Sequence, residues 1–373
     1  MFVALRDLRF AKGRFALMGS VVLLITVLVT MLSGLTAGLA ADSSSAIENL
    51  PADRVVFDAR GAADGKISFS DSRISGETLR AWQDVPGTAA EPLGISMGRI
   101  SFSASGEQSK SGGQGTAGER GAPAALFGVS PGGEAGNAGR SPSAGQIVLS
   151  SGLAEGTGLA SGDEVQISGH AFTVAGTGGA SSYSHTPVAW IGLGDWRTLN
   201  AQAGDQAATV LLLRLTGEPV LDAVDERLGT TTVARGDAKS AIPSFSAENG
   251  SLQLMRGFLF VISALVIGAF FTVWTIQRQA DVAVLKALGA STGYLLRDAL
   301  AQAVLVLLAG AGLGGAVGGL AGLAAAGSVP FVVSASTTVL PVAVIVLLGA
   351  AGAALAIRKI TSVDPLTALG AAR

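Results

Sequence analysis

Cysteine is absent from this chain of 373 residues, and histidine and tyrosine occur only twice each. Without cysteine there can be no disulfide, no thiolate metal ligand and no C-x-x-C-H haem attachment. The chain also lacks the G-x-x-x-x-G-K-[ST] phosphate loop and the H-E-x-x-H zinc motif. These absences predict that the chain has no catalytic residues, no metal site and no intrinsic cofactor, and that it does not hydrolyse nucleotides itself.

Charge is also scarce. Only 14% of the residues are charged, 49% are hydrophobic, and the mean hydropathy is +0.51, whereas an average protein has about 25% charged residues. Three stretches without Asp, Glu, Lys or Arg are long enough to cross about 30 Å of hydrocarbon; they are residues 15–41, 257–277 and 299–357. The last is 59 residues long and contains "GSVPFVVSASTTVLP", whose two prolines predict a turn at 327–341. Four membrane spans result.

The spans carry no ionisable side chain, which disfavours a transporter driven by an ion gradient. Lys and Arg gather instead beside the span ends, in residues 1–14, 278–298 and 358–373. The interval 42–256 holds 15 basic and 23 acidic residues. By the positive-inside rule, both termini and the 278–298 loop are predicted to be cytoplasmic, and the 42–256 interval is predicted to be extracellular.

The predicted fold class is a membrane protein with four transmembrane α-helices and a large α+β extracellular domain between helices 1 and 2. Two alternatives stay open: residues 1–14 can be simple flanking charge, and residues 15–41 can be a cleaved signal peptide. The 27 uncharged residues of that run exceed the usual apolar region of about 7–15 residues, which favours a span. The predicted segments are a cytoplasmic interfacial helix (1–14), helix 1 (15–41), the extracellular domain (42–256) with a flexible Gly/Ser-rich insertion (about 103–145), helix 2 (257–277), a cytoplasmic amphipathic helix (278–298), helix 3 (299–326), an extracellular turn (327–341), helix 4 (342–357) and a cytoplasmic tail (358–373).

Local patterns in the extracellular domain predict strands. "GDEVQISGHAFTVAGT" has two β-rich runs around Gly169 and His170, which is typical of a hairpin. The apolar "ALFGV" inside the Gly/Ser-rich insertion is compatible with a further strand. His170 at the predicted turn and His185 in "SSYSHTP" are both interpreted as structural residues rather than ligands.

Glycine recurs at every fourth position of the third span. Small residues at this spacing let helix backbones approach closely in lipid, where packing drives association. We therefore expect this face to pack against another helix. A single Gly34-x-x-x-Gly38 match in the first span is a weaker signal. The fourfold row consists of Gly310, Gly314, Gly318 and Gly322, and Gly315 and Gly319 form a parallel row.

The loop after the second span carries an amphipathic pattern. Helical spacing puts Val282, Leu285 and Leu288 near one face, with polar residues at its edges. Gly289 can end this helix, and Ser291 or Thr292 can cap the next one. Such an apolar ridge suits a groove on a partner, but the spacing alone fits a plain connecting loop equally well.

Three motifs resemble those of the FtsX/MacB-type (type VII) ABC transporter permeases. "RQADVAVLKALGAS" after the second span is similar to the family segment R-x-x-E-[IV]-[AG]-[IVL]-[LM]-[KR]-[AS]-[LI]-G-[AS], with Asp281 at the usual Glu position. "ITSVDPLTALG" resembles the family's C-terminal tail, and "GDEVQISGHAFTVAGT" its outer strand pair. The matching residues are Arg278, Val282, Ala283, Val284, Leu285, Lys286, Ala287, Leu288, Gly289 and Ala290 in the loop, and Pro365, Ala368 and Leu369 in the tail.

The resemblance implies a homodimeric permease in the cell membrane, in contact with lipid, bound to two copies of a separate ABC ATPase that uses the ATP. No nucleic-acid partner is expected. ATP-driven closure would pass through helices 1 and 2 to the outer domain, a mechanism called mechanotransmission. The implied coupling helix lies at 278–298, and the implied ATPase-coupling residues are Arg278, Asp281, Val282, Leu285, Lys286, Leu288, Gly289 and Ala290.

The chain is most similar to the haem-efflux permeases of Gram-positive bacteria. That resemblance implies haem, or another hydrophobic or amphipathic toxic compound, as the substrate. Glu48, just beyond the first span, and Met31 within it are the candidate substrate residues, although each also fits an interfacial or packing role. Export of an antimicrobial peptide, export of a lipoprotein, and non-transporting control of a cell-wall hydrolase remain alternatives.

Overall fold

The structure is a computed structural model that describes residues 12–60, 66–103, 119–133, 142–201, 204–279, 284–286 and 288–361. The chain divides into two compact units. One, here called the helical unit, comprises Met1–Leu39 and Gly250–Arg373; the other, the β unit, comprises Ala40–Asn249. Most of the predicted interfacial helix at 1–14 and most of the tail at 358–373 lie outside the described residues.

The structure gives bounds for nine α-helices, one 3₁₀ helix (Lys239–Ala241) and twelve strands among the described residues. The helices are α1 (Lys12–Glu48), α2 (Gly76–Gln83), α3 (Ser151–Thr157), α4 (Leu193–Leu199), α5 (Leu221–Leu228), α6 (Arg235–Ala238), α7 (Pro243–Gln277), α8 (Thr292–Ala325) and α9 (Ala335–Thr361). The strands are β1 (Arg54–Asp58), β2 (Ile74–Ser75), β3 (Thr88–Ser103), β4 (Glu119–Val129), β5 (Gln146–Leu149), β6 (Glu164–Ile167), β7 (His170–Thr177), β8 (Ser182–Tyr183), β9 (Thr186–Gly192), β10 (Gln206–Ala208), β11 (Val210–Leu215) and β12 (Thr230–Ala234).

Four of the described helices, α1, α7, α8 and α9, are long and apolar enough to cross a membrane. All four extend past the charge-free runs that define the predicted spans: α1 continues to Glu48, α7 already begins at Pro243, α8 begins at Thr292 and α9 continues to Thr361. A change from apolar to charged sequence marks where hydrocarbon can end, and nothing in "DSSSAIE" breaks a helix. Proline suits the first helical position of α7, because its missing N–H would be unpaired there anyway.

The predicted turn at 327–341 is too long. Helix α9 begins at Ala335 and contains Pro341 in its interior. The helix starts early because Ser334 and Thr337 cap each other: the Thr337 backbone N–H donates to Ser334 Oγ at 3.2 Å, and the Ser334 N–H donates to Thr337 Oγ1 at 2.9 Å. An apolar helix of this kind tolerates a proline, since neighbouring groups can satisfy the freed carbonyl.

The glycine rows of α8 lie in contact with two neighbouring helices. A Cβ added at Gly314 would come within 2.6 Å of the Leu23 carbonyl oxygen of α1, and one at Gly310 within 2.9 Å of the Gly19 oxygen. On the parallel row, a Cβ at Gly315 would meet Val342 of α9. The absence of side chains therefore sets how closely α8 packs against both helices.

A phenylalanine from the α8–α9 connection packs at one end of the seam, the contact between α8 and α1. The Phe331 ring lies directly against the backbone at Gly34 of α1 and at Gly322 of α8. The Val332 N–H donates to the Gly34 carbonyl at 3.1 Å, and the Pro330 carbonyl lies against Gly38. The Gly34-x-x-x-Gly38 pair thus receives a loop rather than a helix.

The β unit is built on a ten-stranded sheet in the order β12-β1-β11-β3-β4-β9-β5-β7-β6, with β8 paired to β9. The first half of the 16-residue strand β3 pairs with β11, and its second half pairs with β4. Because β6 also pairs with β3, the strands from β3 to β6 form a closed ring. Ring closure removes exposed strand edges, and the ring surrounds a core that includes Ile100, Leu126 and Ile191.

Two predictions from the sequence concern the strands of the β unit. The hairpin is confirmed: β6 and β7 are antiparallel, and Ser168 and Gly169 form the turn with positive φ angles, so His170 already belongs to β7. The predicted flexible insertion at about 103–145 is wrong for residues 119–129, whereas the further strand at "ALFGV" within it is confirmed. There β4 pairs along its whole length with β3, because "RGAPAALFGV" supplies the apolar side chains that both faces of a central strand bury.

Gly314→Ala is expected to lower the free energy of unfolding of the purified protein by about 1–3 kcal/mol, because the added methyl group meets backbone that cannot rotate away. Gly312→Ala is the matched control, since a Cβ there meets nothing within 4 Å on the same helix. Unfolding in a titration with a denaturing detergent measures both. Equal losses in the two variants would contradict the close approach of α8 to α1.

Candidate functional site

The segment between α7 and α8 contains the residues that the sequence predicts to contact a partner. Residues 284–286 form a helical turn, and Gly289 ends it with a φ of 94°. The Gly289 N–H donates to the Lys286 carbonyl, and the Ala290 N–H donates to the Leu285 carbonyl, both at 3.0 Å. This pair of bonds is the Schellman arrangement that closes a helix on a left-handed glycine. The predicted helix stop at Gly289 is confirmed.

Helix α8 follows at once. Ser291 is its N-cap, and the Ser291 hydroxyl accepts a hydrogen bond from the Tyr294 N–H at 3.3 Å. The sequence leaves the cap open between Ser291 and Thr292, and the structure assigns it to the serine. Gly289 ends the helical turn and Ser291 caps α8, so only Ala290 lies between the two.

The apolar side chains of the segment are exposed. The exposed fractions are 54% for Val284, 44% for Leu285 and 80% for Leu288. Asp281 and Val282, the other members of the predicted face, lie outside the described residues. Exposed leucines on a short turn provide the apolar surface that a protein-docking site needs.

A polar network lies at the base of this segment. Arg278 donates from Nη1 to Gln302 Oε1 at 2.7 Å, and Gln302 donates from Nε2 to Asp298 Oδ2 at 2.9 Å. The Arg278 guanidinium also lies 5.1 Å from the ring centroid of Trp274. Arg278 directly follows α7, whereas Asp298 and Gln302 lie on α8 one turn apart. The network therefore links the two chain ends from which the exposed turn emerges.

Gln302 is the centre of that network and is completely buried. Its amide joins a cation to a carboxylate, since its oxygen accepts from Arg278 and its nitrogen donates to Asp298. A buried amide that lost either partner would pay a desolvation penalty of about 1–3 kcal/mol. Gln302 cannot be recognised from the sequence, because a neutral amide within an uncharged run gives neither a charge signal nor an apolar period.

The two predicted substrate residues fall in different units. Met31 is half-buried on α1 in the helical unit, whereas Glu48 is the last residue of α1 and belongs to the β unit. The Glu48 carboxylate forms an ion pair with Lys239 at 2.7 Å, and both side chains are about 40% exposed. The carboxylate is therefore paired but open to solvent on one side.

Two protein-family models match this chain. The model of the MacB-like periplasmic core domain matches residues 15–231, which is more than half of the chain. The model of the FtsX-like permease C-terminal domain matches residues 254–365, which include α8, α9 and the exposed turn. The chain belongs to the FtsX/MacB-like ABC transporter permeases. Membership in this permease family implies an ATPase partner.

Several individual proteins are similar to this permease over its whole length. Putative hemin transport system permease proteins HrtB are 26% identical in Staphylococcus haemolyticus and 23% identical in Staphylococcus epidermidis, each over 99% of both chains. An uncharacterized ABC transporter permease of Mycobacterium tuberculosis is 26% identical over 99% of both chains. The periplasmic region of MacB from Actinobacillus actinomycetemcomitans covers 52% of the permease and 92% of that structure at 11% identity, with a TM-score of 0.34.

Gln302→Leu is expected to lower the free energy of unfolding of the permease by about 1–3 kcal/mol, because Arg278 and Asp298 each lose a hydrogen-bond partner. Gln279→Leu, the same change at an exposed glutamine next to Arg278, is expected to have little effect. Thermal unfolding of the full-length protein measures both variants. A Gln302→Leu midpoint equal to that of Gln279→Leu would mean that the network does not hold the two helices.

Proposed function

We propose that the chain is the permease subunit of an ATP-driven efflux system that exports haem, or another hydrophobic or amphipathic toxic compound, from the outer leaflet of the cell membrane. The observation that carries this proposal is the match to HrtB proteins across 99% of both chains. The match is not limited to the apolar helices, which resemble each other in many membrane proteins. It includes the β unit, where substrate-specific contacts are expected.

The absence of Asp, Glu, Lys and Arg from all four predicted spans supports an external energy source. We propose that two ATPase subunits supply it, and that a homodimer of the permease transmits their closure through α1 and α7 by mechanotransmission. The distribution of Lys and Arg supports cytoplasmic termini and a cytoplasmic 278–298 segment. In this orientation the exposed turn at 284–288 faces the ATPases, and the β unit lies outside the cell.

The coupling role of the exposed turn follows from its chemistry. Leu285 and Leu288 present apolar surface, and Gly289 fixes the end of the turn. A groove on the ATPase that receives these side chains would remove them from water. A charge introduced there would be buried without a partner, which costs several kcal/mol.

Leu285→Asp is therefore expected to reduce permease-stimulated ATP hydrolysis by about tenfold or more. Leu285→Met keeps an apolar side chain of similar volume and is expected to retain the activity. Val220→Asp is the charge control, because Val220 is 72% exposed in the β unit. Co-purification and ATP hydrolysis measure all three variants. Full activity of Leu285→Asp would exclude this turn as the coupling element.

The substrate proposal is tested with the permease purified together with the ATPase encoded beside its gene. Hemin is expected to stimulate ATP hydrolysis, and bound hemin is expected to show a shifted absorption band. Glu48→Gln and Met31→Leu are expected to weaken hemin binding, because Glu48 offers a half-exposed carboxylate and Met31 a thioether. Met255→Leu is the control for Met31→Leu, since Met255 is an exposed methionine of α7.

The other candidate functions are separate outcomes of the same assay. An unchanged hemin spectrum at saturation would reject haem and leave the permease assignment intact. Stimulation by peptide antibiotics or lipoproteins instead of hemin would redirect the substrate class. ATP hydrolysis that responds to no exported compound but to an extracellular cell-wall hydrolase would indicate a signal transmitter.

A further inference from the structure

The tip of the β8–β9 hairpin holds an unusual pair of residues. Ser184 and His185 form its two-residue turn, and both have positive φ angles, 51° and 59°. Turns of this type favour Asn-Gly or Asp-Gly, because other side chains are strained in the left-handed region. The β6–β7 turn follows that preference with glycine at its second position, Gly169. A strained serine and histidine at the β8–β9 tip therefore need a reason in the contacts of their side chains.

Those contacts reach the end of α1 and the start of α7, both of which lie within the β unit. His185 Nδ1 lies 3.0 Å from Asp42 Oδ2 on the last turns of α1, and His185 Nε2 lies 2.8 Å from Glu248 Oε2 on the first turns of α7. A single imidazole thus joins a carboxylate from each helix. A single metal ion could not bind the imidazole and both carboxylates together, because the two carboxylates lie on opposite ring nitrogens.

Serine hydroxyls and backbone groups reinforce the same junction. The Ser184 N–H donates to the Ser43 carbonyl on α1 at 2.9 Å, and Ser184 Oγ lies 2.9 Å from Ser244 Oγ on α7. Ser43 Oγ lies 3.4 Å from Ser244 Oγ, so the two helices also meet directly. Next to the tip, Tyr183 is buried against Phe69 and Phe127 in the core of the sheet. The hairpin therefore packs into the core of the sheet on one side, and its tip hydrogen-bonds to two helices on the other.

The charge balance of the junction depends on pH. Asp42 from α1 and Glu248 from α7 face the imidazole. The hairpin's other titratable residue, Tyr183, stays neutral because burial raises its pKa. Partial burial lowers the pKa of His185, but the hydrogen bonds and charges of Asp42 and Glu248 outweigh it and raise this pKa. Only the imidazolium can donate from both nitrogens. A neutral ring must turn one lone pair toward a carboxylate.

We propose that His185 is a positioning residue whose protonated imidazole clasps the end of α1 to the start of α7, so that substrate binding and ATP hydrolysis are coupled more tightly at low pH. This proposal rests on the permease function proposed above. The sign follows from the raised pKa: the clasp is complete below about pH 6.5, the ordinary histidine value. It weakens as the pH rises through the higher pKa of the folded protein.

The first test uses the full-length permease alone, at pH 6 and pH 9. Three of its four tryptophans, Trp82, Trp190 and Trp196, lie in the β unit, so tryptophan emission reports mainly on that unit. The unfolding midpoint of the wild type is expected to fall by about 2–4 °C more than that of His185→Gln over this range, the shift of about one net hydrogen bond in a domain of about 200 residues.

Two further variants make this test specific. His170→Gln removes the chain's other histidine, which is exposed at the start of β7, and should keep the wild-type pH response. His185→Arg has a permanent charge and several donors, and should hold both carboxylates without a pH response. An equal pH response in the wild type and His185→Gln would overturn the clasp.

The second test adds the ATPase partner and measures hemin-stimulated ATP hydrolysis in lipid nanodiscs across the same pH range. Stimulation should decline with pH in the wild type, stay low in His185→Gln and stay high in His185→Arg. A decline of the same size in His185→Gln would overturn the coupling role. If no variant, including the wild type, responds to hemin, the proposed substrate fails instead, and the unfolding data still decide whether the clasp exists.

Discussion

Close backbone approach is the constraint on which the helical unit depends. Hydrocarbon is as apolar as leucine, so helices in a membrane gain little from burying leucine against leucine. Packing must come from short distances, and α8 achieves them with glycine on two faces, one against α1 and one against α9. Phe331 then occupies the space that Gly34 and Gly322 leave at the end of the seam. A methyl group added at Gly310 or Gly314 would push the α1 backbone away, whereas one at Gly319 would make only ordinary contact with Thr338.

The same constraint moves polar chemistry to the helix ends. Charged side chains cannot lie within the spans at low cost, and the described networks of Arg278, Asp298 and Gln302, and of His185 with its two carboxylates, all lie near a helix end. Surface ion pairs contribute little to stability. The Gln302 network differs because its central amide is completely buried. A buried amide favours the helix arrangement that supplies both of its partners, because any other arrangement leaves it unpaired.

The sequence predicts the parts of this architecture that leave a local signal. The four spans follow from the length of the charge-free runs, whereas the glycine row of α8 and the β6–β7 hairpin follow from spacing that reflects a local repeat of helix or strand geometry. The bounds of α1 and α7 did not follow, since a loss of hydrophobicity does not end a helix. The predicted turn at 327–341 was wrong at its second half because a proline pattern cannot reveal the reciprocal cap of Ser334 and Thr337.

The residues of the candidate site also differ in whether the sequence reveals them. Leu285 and Gly289 belong to a contiguous motif and are recognisable in the sequence, whereas contacts between distant residues are not. His185 is 143 residues from Asp42 and 63 from Glu248, and no local pattern pairs them. The two polar networks lie at opposite ends of one helix, α7. Glu248 is near its start, and Arg278 directly follows its last residue. Helix α7 is thus bound by the His185 contact near its first turns and by a buried amide network just past its last residue, and neither places a charge within the predicted span.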